Sequence, residues 1–226
     1  MYAYERRRVC RTLSIEMPRP RSLTPARIAT AALAVLDRDG LAALSMRAVA
    51  GELGMGTMSL YRYVEDRDQL EGLIVELVLG GIDLELPPRT SWRKRLTTLA
   101  ERMRAAVGGH PAVVPLLLTH RHRAPSSARW GEAVLGVLTD AGFTGKRRVV
   151  AFRVLIGYLL GALQAEHLGP LSGPGTDALA ALPPAEFPWL SETARDARRL
   201  GADEEFRGGL AVVLQGMGLS EEDRDD

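Results

Sequence analysis

Thr57 to Val64 (TMSLYRYV) carries two aliphatic hydroxyls, a thioether, two phenols and a guanidinium over eight residues. At about 100° per residue on a helix, Leu60 and Val64 share one arc. Met58 and Arg62 point furthest from that arc. Thr57 and Tyr61 flank one side, and Ser59 and Tyr63 the other. Hydroxyls and phenols bond base edges or phosphates, a thioether contacts thymine methyls, and a guanidinium pairs with guanine or phosphate. The surface therefore suits a DNA major groove. Taken singly, Tyr61 or Tyr63 also suits the edge of a core, and two short helices around a glycine also occur as a plain packing pair.

Other chemistry finds less support. The four histidines are His110, His120, His122 and His167. No H-E-x-x-H, G-x-S-x-G, Walker-type loop or cysteine cluster is present. His120 and His122 at i, i+2 do not share a helix face, and His120 has no second ligand nearby in sequence. His110 precedes a proline at a helix start, and His167 lies at a helix end, where a cation suits the dipole. Neither catalysis, a cofactor nor a metal is expected. Cys10 stands alone, so no disulfide framework forms and a cytoplasmic location is expected.

The elements that must position residues 57–64 are helical, because apolar spacing follows the helical period almost everywhere and strand-like alternation is lacking. Thr24 caps the first helix with Pro25 at its first position, and Gly40 ends it. Ser45 caps a second helix, MRAVAGEL, which stops at Gly54. The segment GMG is the turn into TMSLYRYV. Asp66 and Gln69 form a capping box for a fourth helix. Pro87-Pro88 breaks the chain. Beyond it come a helix from Trp92, a short one around AVVPLLLTH, and one opened by Ser126 or Ser127. A long apolar helix spans about 146–168. Residues 169–188 read as a loop with one helical turn. A modest helix follows, and Asp203 caps the last. Two short helices joined by a tight glycine turn are the form of a helix-turn-helix.

Length and bulk composition, 226 residues and 46% apolar, permit one large or two small domains with ample core. A net charge of +1 does not itself announce nucleic acid. Residues 24–83 carry five arginines against nine acidic groups, so any DNA contact rests on local placement. The first 23 residues hold six arginines, and the last six, EEDRDD, are mostly acidic. No apolar run follows the arginines as in a signal peptide. Arg153 interrupts the longest apolar run, so no membrane span is expected.

The stretch TPARIATAALAVLDRDGLAALSMRAVAGELGMGTMSLYRYVEDRDQLEGLI resembles the N-terminal DNA-binding domain of the tetracycline-repressor family of transcriptional regulators. The match covers about sixty contiguous residues from Thr24 to Asp83. HPAVVPLLL and EEFRGGLAVVLQGM resemble the family's more variable second half. The resemblance implies an all-α homodimer with a three-helix helix-turn-helix domain and a C-terminal ligand-binding and dimerisation domain. It implies a repressor on a palindromic double-stranded operator, released by a small molecule. The boundaries are 1–23 for a basic arm, 24–83, 89–219, and 220–226 for an acidic tail. Carried over by position, Arg47, Thr57, Met58, Ser59 and Tyr61 face bases. Ser45, Arg62, Tyr63 and Arg67 hold phosphates. Where relatives often open the fourth helix with lysine, Arg67 stands here between Asp66 and Asp68.

A dimer needs an apolar surface on each subunit. The expected contact uses Val149, Phe152, Ile156, Leu160 and Leu163 on the long helix, with Phe206, Leu210, Val213, Leu214 and Met217 on the last. The expected effector pocket is lined by Met103, Val107, Leu117, Trp130, Val134, Phe152 and Tyr158, with His120 and Gln164 as polar anchors. That lining suits a hydrophobic or aromatic compound. An activator of the same fold, or a dimeric helical binding protein without specific DNA affinity, are the alternatives.

Overall fold

The computed structural model describes residues 23–218. The arginine-rich arm and the acidic tail lie outside them, apart from Leu23. The described residues form α1 (Pro25–Asp39), α2 (Met46–Glu52), α3 (Thr57–Leu60), α4 (Arg67–Gly80), α5 (Trp92–Gly108), α6 (Val114–His120), α7 (Pro125–Asp140), α8 (Gly145–Leu168), α9 (Pro174–Ala180), α10 (Pro188–Ala197) and α11 (Ala202–Gly216). Short 3-10 turns, Pro111–Val113 and Arg121–Arg123, flank α6. No strand occurs among them.

Side-chain caps set the helix starts in the first half. Thr24 Oγ1 accepts the Arg27 amide, Ser45 Oγ that of Ala48 and Ser91 Oγ that of Lys94. Asp66 accepts the Gln69 amide at 2.7 Å, and the Gln69 side chain accepts the Glu65 amide at 2.7 Å, which closes the capping box. Each such cap is worth about 1 kcal/mol. Gly54 turns the chain between α2 and α3 at φ 68°, a left-handed conformation that costs glycine nothing.

Several boundaries differ from the sequence expectation. The α-helical part of 57–64 ends at Leu60. Hydrogen bonds from the Tyr63 and Val64 amides to the Leu60 carbonyl carry it on as a turn. α7 starts at Pro125 because proline fits a first turn, so Ser126 lies inside the helix. α11 starts at Ala202 after Gly201, which leaves Asp203 in its first turn rather than at the cap. The 169–188 segment contains the whole of α9. α9 and α10 pack chiefly on each other, through Ser191 and Ala194 of α10 among others.

One apolar core runs through both halves. It links Leu36, Val49, Leu60 and Ile74 to Leu99, Val134, Leu155 and Leu210. α4 is the shared wall, with α1 on one side and α5, α6 and α7 on others. Arg104 of α5 pins α8 and α11 together. It pairs with Glu166 at 2.8 Å and Asp203 at 2.7 Å and lies over the Phe206 ring. α8 corrects one reading. Within Gly145–His167 the most apolar 18-residue window has a mean hydropathy of 1.5, and by length and composition alone the helix could cross a membrane, Arg153 notwithstanding. Its packing against α5, α6, α7 and α11 gives a globular account of the buried side.

Candidate functional site

α2, the Gly54 turn and α3 bring the sequence-selected side chains onto one face. Leu60 and Val64 are buried, as helical spacing requires. Met58 is 79% exposed, and Tyr61 and Tyr63 also face solvent. Arg47 and Arg62 are exposed, and Thr57 and Ser59 are half-buried. None of these seven side chains is hydrogen-bonded or ion-paired within the described residues. An exposed methionine beside two exposed phenols and two uncommitted guanidiniums is unusual for a surface that serves only solvation.

Ser45 and Arg67 are placed differently. The Ser45 hydroxyl oxygen accepts the Ala48 amide at 3.2 Å, so the residue holds the start of α2. Arg67 donates Nε to Glu71 at 2.6 Å and one Nη to the Leu41 carbonyl at 3.0 Å. Its guanidinium already braces α4 against the α1–α2 connection.

The same helix is clasped from its other side. Asp68 meets Arg123 at 3.2 Å, Glu71 meets His120 Nε2 at 2.7 Å, and Glu76 meets Arg129 at 3.1 Å. Glu76 also accepts the amide and hydroxyl of Ser126, each at 2.7 Å, at the start of α7. Burial pushes the Glu76 carboxyl up, but the Ser126 hydrogen bonds and the Arg129 charge outweigh it and hold it below the usual carboxylate range. A further bridge joins Asp37 of α1 to His110 at 2.7 Å.

Asp68, Glu71 and His120 place their ligand atoms within 4.8 Å of one another. The expectation that His120 has no second ligand is thus corrected, because α4 packing supplies two carboxylates from far upstream. Glu71 is shared by His120 and Arg67, and Asp68 is held by Arg123. Charged partners therefore satisfy the trio as a clasp. His120 Nδ1 is buried without a partner, so the ring turns its bonded nitrogen to α4.

A chamber of about 470 Å³ opens between α7, α8 and the end of α6. Its walls include Trp130, Leu135, Phe152, Ile156 and Leu160, with Arg121, His122, Glu132 and Arg153 as the charged or titratable lining. A smaller apolar recess behind it is lined by Met103, Leu117, Leu159 and Leu163 and shares Arg121, Ser127, Trp130, Ile156 and Leu160. Of the expected lining, Met103, Leu117, Trp130 and Phe152 come together here. Val107 and Val134 are sealed in the core. Tyr158 faces α11 and donates its hydroxyl to the Phe206 carbonyl. Gln164 lines neither space, and His120 is spent on Glu71. The basic lining was missed, although HRHR beside an aromatic helix was a visible signal.

The expected dimer face is redistributed as well. Leu163, Phe206, Leu210, Leu214 and Met217 are buried within this chain, and Ile156 and Leu160 turn to the chamber. Phe152 lines the chamber too, and Val213 is half-buried. The outward apolar side chains are Val149 and Val150 (60% exposed each) and Val154 on α8, with Val212 (68%) on α11. Helix register explains the change: one face of each helix fills the core, and the valines lie on the opposite arc.

Residues 85–220 match the family model for the tetracyclin repressor-like C-terminal domain. The HTH-type transcriptional repressor DrrR1 of Streptomyces coeruleorubidus is 35% identical over 150 residues, 66% of this chain and 55% of that one. An HTH-type transcriptional regulator of Saccharopolyspora erythraea is 31% identical over 65% of this chain and 62% of its own length. The match thus spans less than two thirds of either relative. The crystal structure of ActR from Streptomyces coelicolor in complex with actinorhodin superposes with a TM-score of 0.75. Its identity is 26%, over 86% of this chain and 95% of that one.

Proposed function

The chain belongs to the tetracycline repressor-like family of regulators, and from that premise we propose that it is a ligand-responsive, DNA-binding transcriptional repressor of the cytoplasm. Two copies bind a palindromic operator, and an aromatic effector in the α6–α8 chamber releases them. The names of the DrrR1 and ActR relatives support the two halves of this reading, one as a repressor and one as a protein with a bound small molecule.

One observation carries the coupling. The segment from His120 to Arg129 faces the chamber with Arg121, His122 and Ser127, and holds α4 with His120, Arg123, Ser126 and Arg129. A ligand that reshapes the first set displaces the second, and α4 carries the helix-turn-helix through its contact with α1. The ligand shifts the population by its differential affinity for the two arrangements and needs no chemical step.

At the DNA, Met58, Thr57, Ser59, Tyr61 and Arg47 reach base edges, and Arg62 and Tyr63 hold phosphates. Ser45 and Arg67 contribute by fixing α2 and α4, with only their remaining protons available to phosphate. The subunit contact uses the outward valines of α8 and α11. Two recognition helices in successive major grooves require half-sites roughly 34–36 Å apart. Selection of bound duplexes from a random library tests the reading. A palindrome with that spacing is the expected product, and salt-sensitive binding without sequence preference would refute it.

A further inference from the structure

We propose that the α6–α8 chamber selects acidic aromatic effectors, whose anionic group is held by Arg121 and Arg153 with His122. The inference rests on reading the chamber as the effector site and adds the charge of its ligand.

The basic side chains of this region divide into two sets. Arg123 and Arg129 face α4 and are neutralised by Asp68 and Glu76. Arg121 and His122 face the chamber and meet no carboxylate among the described residues. Arg153 arrives from α8 and makes no hydrogen bond or ion pair there either. The one acid in the lining is Glu132, which is exposed and unpaired, and so lies beyond ion-pair reach of Arg153. The lining is therefore net positive.

Arg121 is the best-placed of these groups. It is half-buried and lines both the chamber and the recess. One of its Nη atoms donates to the Leu117 and Leu118 carbonyls, which fixes the guanidinium without cancelling its charge. Nε and the other Nη remain for a ligand, with the unbonded Ser127 hydroxyl lining the same space. Guanidinium binds carboxylate or sulfonate oxygens through charge-assisted, planar hydrogen bonds. Trp130 and Phe152 supply flat apolar walls, and the Trp130 indole N–H is already used on the Leu99 carbonyl at 3.2 Å. A neutral ligand would cover the guanidiniums without replacing their water, which is costly. An amine would be repelled.

A matched pair of dyes provides the test: 1-anilinonaphthalene-8-sulfonate and N-phenyl-1-naphthylamine, which share one ring skeleton and differ by the anion. The sulfonate is expected to bind at least about tenfold more tightly. Arg121→Gln, and separately Arg153→Gln combined with His122→Gln, should each lower that preference, the Arg121 change most, and Glu132→Gln should increase it. Affinity for the neutral dye should hold in all three. Ile156→Trp, which fills the chamber, should abolish both dyes. Equal affinity of the two dyes, or a preference that survives both the Arg121 and the Arg153/His122 changes, overturns acidic selectivity while the chamber stands as a site. Binding untouched by Ile156→Trp, or no binding of either dye, overturns the effector-site reading and this proposal together.

Discussion

Arg47 and Arg67 are the same residue type at the same end of the molecule and have opposite fates. Arg67 spends its guanidinium on Glu71 and the Leu41 carbonyl, whereas Arg47 is exposed without a partner among the described residues. Arg47→Ala should therefore weaken operator binding by about 1–3 kcal/mol and relax one base position. Helicity and sedimentation should be unchanged. Titration of the variant against the selected operator measures it, and an unaltered affinity would remove Arg47 from the interface. Arg67→Ala should instead lower the melting temperature, because Glu71, which is 8% exposed, then keeps only its bond to His120, and the brace to the Leu41 carbonyl is lost. The residue types in TMSLYRYV were enough to place Leu60 and Val64 inside and the other side chains outside. The i,i+4 spacing of Arg67 and Glu71 was local, but the Leu41 carbonyl that also holds Arg67 is brought near only by folding.

At the scale of elements, α4 is a lever held from both sides. Leu70, Ile74 and Val78 are buried in the shared core. Asp68, Glu71 and Glu76 are held by the α6–α7 segment. Glu76→Gln keeps the shape but gives up the charge on the Ser126 and Arg129 bonds, and should cost about 1–2 kcal/mol. A carboxyl held low in the folded state contributes stability above its unfolded value, near about 4.3 for glutamate. That contribution fades as pH falls through the lower folded value. The wild-type advantage over Glu76→Gln should accordingly be full at neutral pH and vanish in acid. Paired urea melts at neutral and acid pH decide it, and a difference independent of pH would assign the loss to packing.

For the whole molecule, the apolar side chains left outside are as informative as the core. Only 22% of the most apolar α8 window is buried within this chain. Val150 and Val154 of α8 line a groove with Val212 of α11. A self-complementary contact places each such patch near its own copy. Val154→Glu with Val212→Glu should yield a folded monomer that no longer binds a two-half-site operator but still binds either dye. Light scattering and circular dichroism separate the outcomes, and a dimer that persists would exclude this face.

The sequence by itself determined most of the helices, the side-chain caps of the first half and the outward chemistry of residues 57–64. These follow from local rules: helical period, capping side chains and a glycine that takes a left-handed turn. Tertiary structure decided the rest. Val107 and Val134 had the right apolarity for a pocket, yet dense packing seals them. Phe206, Leu210 and Leu214 had the right stripe for a subunit contact, but α8 and α5 cover it first. The basic lining of the chamber and the acidic grip on α4 come from residues far apart in sequence. Their meeting depends on how α4, α6, α7 and α8 pack, and periodicity within one helix carries no information about which neighbour its face will find.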